Sequence, residues 1–291
     1  MFRGAITALV TPFKNGKVDE KALRELIEFQ IAAGIDGLVP CGTTGESPTL
    51  THDEHDRVIE ITIDAVKKRV PVIAGTGSNS TAEALRLTKH ACDAGADGAL
   101  IACPYYNKPT QEGIYKHFQL IAQNVPIPII PYNIPGRTGV NMSPELIARL
   151  AKISNVVGVK EASGSLKQMN DLIDLCGPDF DVLSGDDGMT LPLMAIGGKG
   201  IISVASNIVP ADMAALVDAA DAGDMAKARS LHQKMSPLFD VLFIEVNPTP
   251  VKAALSMMGR IEYEYRLPLC EMAPENYDKL KKVMENYGLI A

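Results

Sequence analysis

The chain has 291 residues, 46% hydrophobic and 22% charged, which is the balance of a folded protein able to bury a large core. A formal net charge of -7 without a long basic run argues against a nucleic-acid partner, although one arginine in a cleft still suffices for a small anion. Cys41, Cys92, Cys103, Cys176 and Cys270 stand singly with no C-x-x-C, which suits a reducing cytoplasm better than a disulfide framework or a zinc site.

The opening run "MFRGAITALVTPF" is broken by Thr7, Thr11 and Pro12 and reads as a strand rather than a signal peptide. No apolar segment reaches the roughly 20 residues that span a bilayer, so no membrane partner is expected. From there, β-rich runs alternate with helical patterns. "GAITALV" precedes a helix near 19–33, "DGLVP" one near 52–68, "VPVIAG" one near 81–94, and "DGALIA" one near 111–124. "IPIIPY" precedes 144–152, "NVVGVK" 166–176, "FDVLSG" 189–196 and "GIISVA" 211–222. Thr51-His-Asp-Glu54 is a capping box, and Ser143-Pro144 places an N-cap before a first-turn proline. "AGIDGLV" and "AGADGAL" are near-copies in which glycine ends a helix and Asp-Gly enters a strand, as a βα repeat produces. The strands are mostly continuous apolar runs, as expected when both faces are covered.

Eight βα units predict a (β/α)8 TIM barrel over residues 1–223. After that the pattern is helical only, with Leu231, Met235, Leu238 and Leu242 at helical spacing, so 224–291 reads as a C-terminal helical extension. A doubly wound open sheet is the alternative, because periodicity does not show closure.

Polar chemistry gathers after the strands: "CGTTGES", "GTGSNST", "CPYYNKP", "YNIPGRTG", "KEASG", "SGDD" and "SN". In a parallel α/β fold these stretches converge on one mouth. Lys160 closes the sixth strand and shares a face with Val156 and Gly158, the glycine leaving room for its stem, while Glu161 is on the other face. Lys160 is either a rim lysine with its ammonium in water or a desolvated amine. A free lysine, of pKa about 10.4, is neutral in roughly one molecule in a thousand at neutral pH. Burial lowers that pKa and makes the amine a nucleophile toward carbonyls. Imine chemistry needs proton carriers, and Tyr132 ends the neighbouring fifth strand. Thr43, Thr44 and Tyr106 add hydroxyls, Gly42-Thr-Thr-Gly45 offers backbone N–H groups for a carboxylate, and Arg137 offers a planar fork for a second one.

Other signals carry less. Cys41 has no sequence-local base and reads as a buried structural thiol. His52 and His55, three apart, lack a third metal ligand nearby, so no metal is expected. Gly75-Thr-Gly77 lacks the third glycine of a dinucleotide fingerprint. Asp186-Asp187 reads as a rim turn and helix start rather than a magnesium site.

The motifs "GTTGE" at 42–46, "YYN" at 105–107, "YNIPGRTG" at 132–139, "GVKEASG" at 158–164 and "SGDD" at 184–187 resemble those of the dihydrodipicolinate synthase family, in order and along the whole chain. The lysine motif alone is shared with N-acetylneuraminate lyase and keto-deoxysugar aldolases; Arg137 before Thr138-Gly139 is the more specific mark. Pro48 after Ser47 departs from a commoner small residue.

The resemblance implies a Schiff-base lyase of lysine (diaminopimelate) biosynthesis that joins pyruvate to L-aspartate 4-semialdehyde without a cofactor. Lys160 would form the imine and Tyr132 would move the proton. Thr43 and Tyr106 would complete the relay, Tyr106 reaching into the partner subunit's site. Thr44 and the main chain of Gly185 and Ile202 would hold pyruvate, and Arg137 the aldehyde's carboxylate. Ser47, His52, His55, Asn79, Glu83 and Tyr105 match a feedback site for L-lysine. At that site His55, if a fixed cation, would disfavour an incoming lysine; otherwise both histidines merely face solvent. A cytoplasmic homotetramer is expected. A sugar-acid aldolase and a non-catalytic binding barrel remain open alternatives.

Overall fold

A computed structural model describes residues 1–291. Eight parallel strands alternate with helices. The barrel strands are β1 (Gly4–Ala8), β4 (Gly37–Val39), β5 (Ile73–Gly75), β6 (Gly98–Ala102), β7 (Ile129–Asn133), β8 (Gly158–Glu161), β9 (Asp181–Ser184) and β10 (Gly200–Ser203), with the small hairpin β2 (Phe13–Lys14) and β3 (Lys17–Val18) after β1. The helices are α1 (Glu20–Ala32), α2 (His52–Val66), α3 (Thr81–Ala94), α4 (Gln111–Asn124), α5 (Pro135–Thr138), α6 (Pro144–Leu150), α7 (Leu166–Cys176), α8 (Thr190–Ala195) and α9 (Pro210–Asp221). The extension adds α10 (Met225–Val241), α11 (Thr249–Met257) and α12 (Pro274–Tyr287).

The sheet order runs β4-β1-β10-β9-β8-β7-β6-β5. Its ends meet through a parallel bridge between Leu38 and Val72, where Leu38 N donates to Pro71 O at 3.0 Å and Gly75 N to Pro40 O at 2.9 Å. The ring therefore closes, which corrects the open doubly wound alternative. Inside it, side chains such as Ile6, Val39, Leu100, Ile130, Leu183 and Ile202 form one packed cluster, so the barrel is filled rather than hollow.

Helix starts follow the local chemistry. Thr51, Ser80, Thr110, Ser143 and Ser165 each accept an N–H in the first turn of α2, α3, α4, α6 and α7. Both capping-box bonds are present, Glu54 N to Thr51 Oγ1 at 3.2 Å and Thr51 N to Glu54 Oε2 at 3.0 Å. Two elements go beyond the sequence reading. The β2–β3 hairpin turns on Asn15 and Gly16, both with positive φ (53° and 76°), the Asn-Gly turn that matches strand twist. Helix α5 is one turn between Pro135 and a left-handed Gly139.

The extension is fastened to the barrel through a shared core. Met235, Leu238 and Leu242 of the α10 region and Leu280 and Met284 of α12 belong to the same buried cluster as Leu23, Leu26 and Ile27 of α1. No helix is long and apolar enough to cross a membrane.

Candidate active site

Strands β7 and β8 run side by side with Tyr132 opposite Lys160 in register. Lys160 is only 5% exposed, and its ammonium lies 4.3 Å from the centroid of the Tyr132 ring. Burial pushes the lysine down to about 7; the Asp187 carboxylate opposes this and the Arg137 guanidinium adds to it. Burial also pushes the Tyr132 hydroxyl up, so it stays protonated at neutral pH. Asp187 is itself buried, but its oxygens accept from Ser203 Oγ and from the amides of Val204 (3.2 Å) and Ala205 (3.1 Å). It pins β9 to the end of β10 and acts on Lys160 as a nearby charge rather than as an ion-pair partner. Asp186 caps the short turn that follows, accepting from Gly188 N at 2.9 Å.

Glu161 lies on the opposite face, as the alternation predicts. It is fully buried and accepts from Asn133 Nδ2 at 3.0 Å, Gln168 Nε2 at 3.2 Å and Ser163 N at 2.6 Å. The glycine argument needs correction. A Cβ on Gly158 would lie 2.5 Å from Asp181 O, so its smallness admits strand β9 rather than the lysine stem. Gly185 does that work: a Cβ there would sit 3.0 Å from Lys160 Cε and 2.8 Å from the Ala162 methyl.

The loop after β4 folds tightly over the barrel mouth. Cys41 and Glu46 take left-handed φ values of 55° and 53°, and Thr11 Oγ1 donates to Gly45 O at 2.6 Å. Gly75 and Gly77 make room for backbone: Cβ atoms there would meet Cys41 O at 2.3 Å and Ala102 N at 2.6 Å. That close approach accounts for the two glycines of the Gly-Thr-Gly sequence. Cys41 is buried and its thiol is pushed up by burial, as a structural cysteine should be.

Thr43, Thr44, Tyr132, Arg137, Lys160 and Gly185 converge on one cavity of about 560 Å³. Ser47, His52, His55, Glu83 and Tyr105 line the same cavity, as does Pro48. Three expected residues do not line it. Ile202 is packed in the barrel interior beside Ile6, Asn79 contributes its carbonyl to Asn107 Nδ2 at 2.9 Å, and Tyr106 is 88% exposed with φ 70°.

His55 corrects the solvent-facing reading for that residue. It is buried, its Nε2 bonds Gly75 O at 2.9 Å, and burial lowers its pKa, so no fixed cation stands there at neutral pH. His52 does reach solvent and bonds Glu83 Oε1 at 2.9 Å. The Ser78 hydroxyl and then His52 hold the Glu83 carboxyl below its usual range.

One polar lining residue escaped the sequence reading. Asn247, between α10 and α11, donates from Nδ2 to Thr44 Oγ1 at 3.0 Å and accepts from Arg137 Nη2 on its carbonyl at 2.9 Å. In sequence it looks like an ordinary residue before a prolyl helix start, and no local signal ties it to groups more than 100 positions away.

A family model described as the Dihydrodipicolinate synthetase family matches residues 1–287. The chain belongs to that family. A curated relative from Syntrophus aciditrophicus, a 4-hydroxy-tetrahydrodipicolinate synthase, is 71% identical over 290 residues and covers 100% of both chains. The chain also resembles a chloride-inhibited dihydrodipicolinate synthase from Acinetobacter baumannii solved in complex with pyruvate (46% identity, TM-score 0.98, 100% of each chain). A family member from Cyanidioschyzon merolae solved with lysine bound is 42% identical, with TM-score 0.97 over 99% of each chain.

Proposed function

We propose that this chain, a lyase of the class I aldolase type, condenses pyruvate with L-aspartate 4-semialdehyde through an imine on Lys160. The product is 4-hydroxy-tetrahydrodipicolinate, for lysine biosynthesis. The observation that carries the reading is a buried lysine without a carboxylate partner, held near neutral pKa at the wall of a hydroxyl-lined cavity. A neutral Nζ lone pair adds to the pyruvate ketone, and loss of water leaves the imine. Loss of a methyl proton gives the enamine, whose carbon attacks the aldehyde. The substrate's own amine then displaces Lys160 and closes the ring.

Tyr132, protonated and in register with Lys160, is the proton donor and acceptor, and Thr43 passes the proton outward. Thr44 and the Gly185 main chain hold the pyruvate carboxylate, with Ile202 supporting from the strand below. Arg137 holds the carboxylate of the aldehyde substrate. The chemistry calls for no metal or cofactor. Borohydride added with pyruvate should place one lactyl-sized mass on the Lys160 peptide, and turnover should require aspartate semialdehyde rather than a keto-deoxysugar. Label on another lysine overturns the mechanism.

Tyr106 acts in the site of a second subunit. Its exposed side chain supports this, since it has no place in its own cavity. The working unit is then a homotetramer built from dimers, in the cytoplasm, where the five free cysteines suit a reducing compartment. Within each subunit, residues 1–223 carry the chemistry and 224–291 brace it.

The outer part of the cavity takes L-lysine as a feedback inhibitor. Glu83 meets its ammonium and Tyr105, with Asn79 behind it, the amino-acid end; neutral His55 offers no repulsion. Ser47 and His52 complete the wall. Coupling to the active site of about 1–3 kcal/mol would appear as partial inhibition, lost in Glu83→Ala. An unchanged rate at millimolar L-lysine, with no heat of binding, removes this part alone.

A further inference from the structure

We infer that Asn247, supplied by the C-terminal extension, is a positioning residue that fixes the Thr44 hydroxyl as a hydrogen-bond donor toward a carboxylate in the cavity. This rests on the pyruvate reading above. Three observations support it.

The first is the chemistry of the contact. An amide nitrogen donates and cannot accept, and a hydroxyl carries one proton and two acceptor lone pairs. Asn247 Nδ2 donates to Thr44 Oγ1 at 3.0 Å, so that oxygen is engaged as an acceptor and its single proton is left for another partner. Thr44 is 3% exposed and Asn247 6%, and both line the cavity, so water does not compete freely for that proton. A carboxylate is a suitable recipient, because it only accepts.

Second, the same residue also holds Arg137. Its main-chain carbonyl accepts from Arg137 Nη2 at 2.9 Å, so one residue contacts both groups assigned to the two substrates' carboxylates. Third, the loop carrying Thr44 has another anchor on the same segment. The Lys252 ammonium on α11 is bonded to the Glu46 carboxylate, both side chains essentially inaccessible at 1% and 0%. Asn247 therefore acts from a frame that is itself fixed to the loop.

The decisive variant is Asn247→Asp, nearly the same shape but able only to accept when ionised. It would take the Thr44 proton and set a negative charge beside the pyruvate carboxylate. The half-saturating pyruvate concentration for borohydride trapping at Lys160 should rise by about tenfold or more, with the trapping rate at saturation changed far less. Asn247→Ala should give a smaller rise in the same direction. Because Asn247 acts through Thr44, Thr44→Val combined with either variant should cost much less than the two separate effects multiplied.

A purely structural role predicts instead a loss of folded protein and a fall in the saturating trapping rate at least as large as the rise in half-saturation. Asn247→Asp with the parent's half-saturation, or effects that multiply, overturns the inference. Should the aspartate variant fail to fold, the alanine variant in the same cycle with Thr44→Val decides between the two outcomes. If the unaltered enzyme is not labelled at Lys160, it is the pyruvate reading that fails, and the two failures are distinct.

Discussion

Two lysines are buried in this molecule, and they have opposite fates. Lys160 sits in the barrel mouth with an aromatic ring beside it and no carboxylate in contact; Lys252 sits in the seam between barrel and extension, bonded to Glu46 with the Phe13 and Tyr265 rings 4.3 and 5.1 Å away. Burial lowers the pKa of both, but at Lys252 the Glu46 charge and hydrogen bond oppose it directly, whereas at Lys160 the nearby Asp187 has its oxygens engaged elsewhere. Burial alone therefore does not make a reactive amine. What does is burial without a partner, next to a space a carbonyl compound can enter.

One substitution made at both positions should separate these fates most sharply. Lys160→Met removes the proposed nucleophile, and activity should fall by about a thousandfold or more. Its stability should nevertheless rise. A lysine whose folded pKa is about 7 against 10.5 unfolded destabilises the native state fully below pH 7, and the penalty fades as pH climbs toward 10.5. Removing it should add about 2 kcal/mol or more to the unfolding free energy near neutral pH, measured in urea. It should also flatten the rise in stability between pH 7 and 10.5. A less stable variant would mean that Lys160 is paired in solution.

Lys252→Met should do the reverse, stranding a buried carboxylate and costing about 3–5 kcal/mol of stability. Adding Glu46→Gln removes the stranded charge and should recover much of that loss. If the single variant is as stable as the parent, the pair contributes nothing and the contrast between the two lysines disappears.

How much of this was legible before the structure depends on how local each cause is. The capping box at Thr51 and Glu54, the glycine-ended helices and the placement of Glu161 opposite Lys160 follow from spacing within a few residues, and the structure has each of them. Strand alternation points to Gly158 as the room for the lysine stem, because that glycine is on the same strand. The true cause is Gly185, brought alongside by β8–β9 pairing. The hairpin at Asn15-Gly16 also has a local cause, the Asn-Gly pair at its turn. Asn247 and Lys252 had none, since their partners are set by how the extension docks and not by neighbours in sequence.

A smaller effect tests whether the two carboxylate sites are separable. Arg137→Ala should lower use of aspartate semialdehyde about 10- to 100-fold, the range for losing a charged hydrogen-bond partner, while pyruvate trapping at Lys160 keeps most of its rate. Equal loss in both steps would place Arg137 on the first substrate instead.

The smallest expected change bears directly on what holds Lys160 near neutrality. Trapping of pyruvate should rise with pH through about 7 and level off as the amine becomes fully neutral. Asp187 favours the ammonium and Arg137 disfavours it, so the two should move that midpoint in opposite directions. Asp187→Asn keeps an oxygen for the Val204 and Ala205 amides and removes the charge, so the midpoint should fall below that of the parent. Arg137→Ala should raise it. Each shift should be less than about one pH unit, because burial is the largest cause and neither substitution alters it. The midpoint is read from the pH dependence of the second-order trapping rate at subsaturating pyruvate, which titrates the amine of the free enzyme. Movement of both variants in the same direction would show that the Lys160 environment is governed by repacking rather than by these two charges.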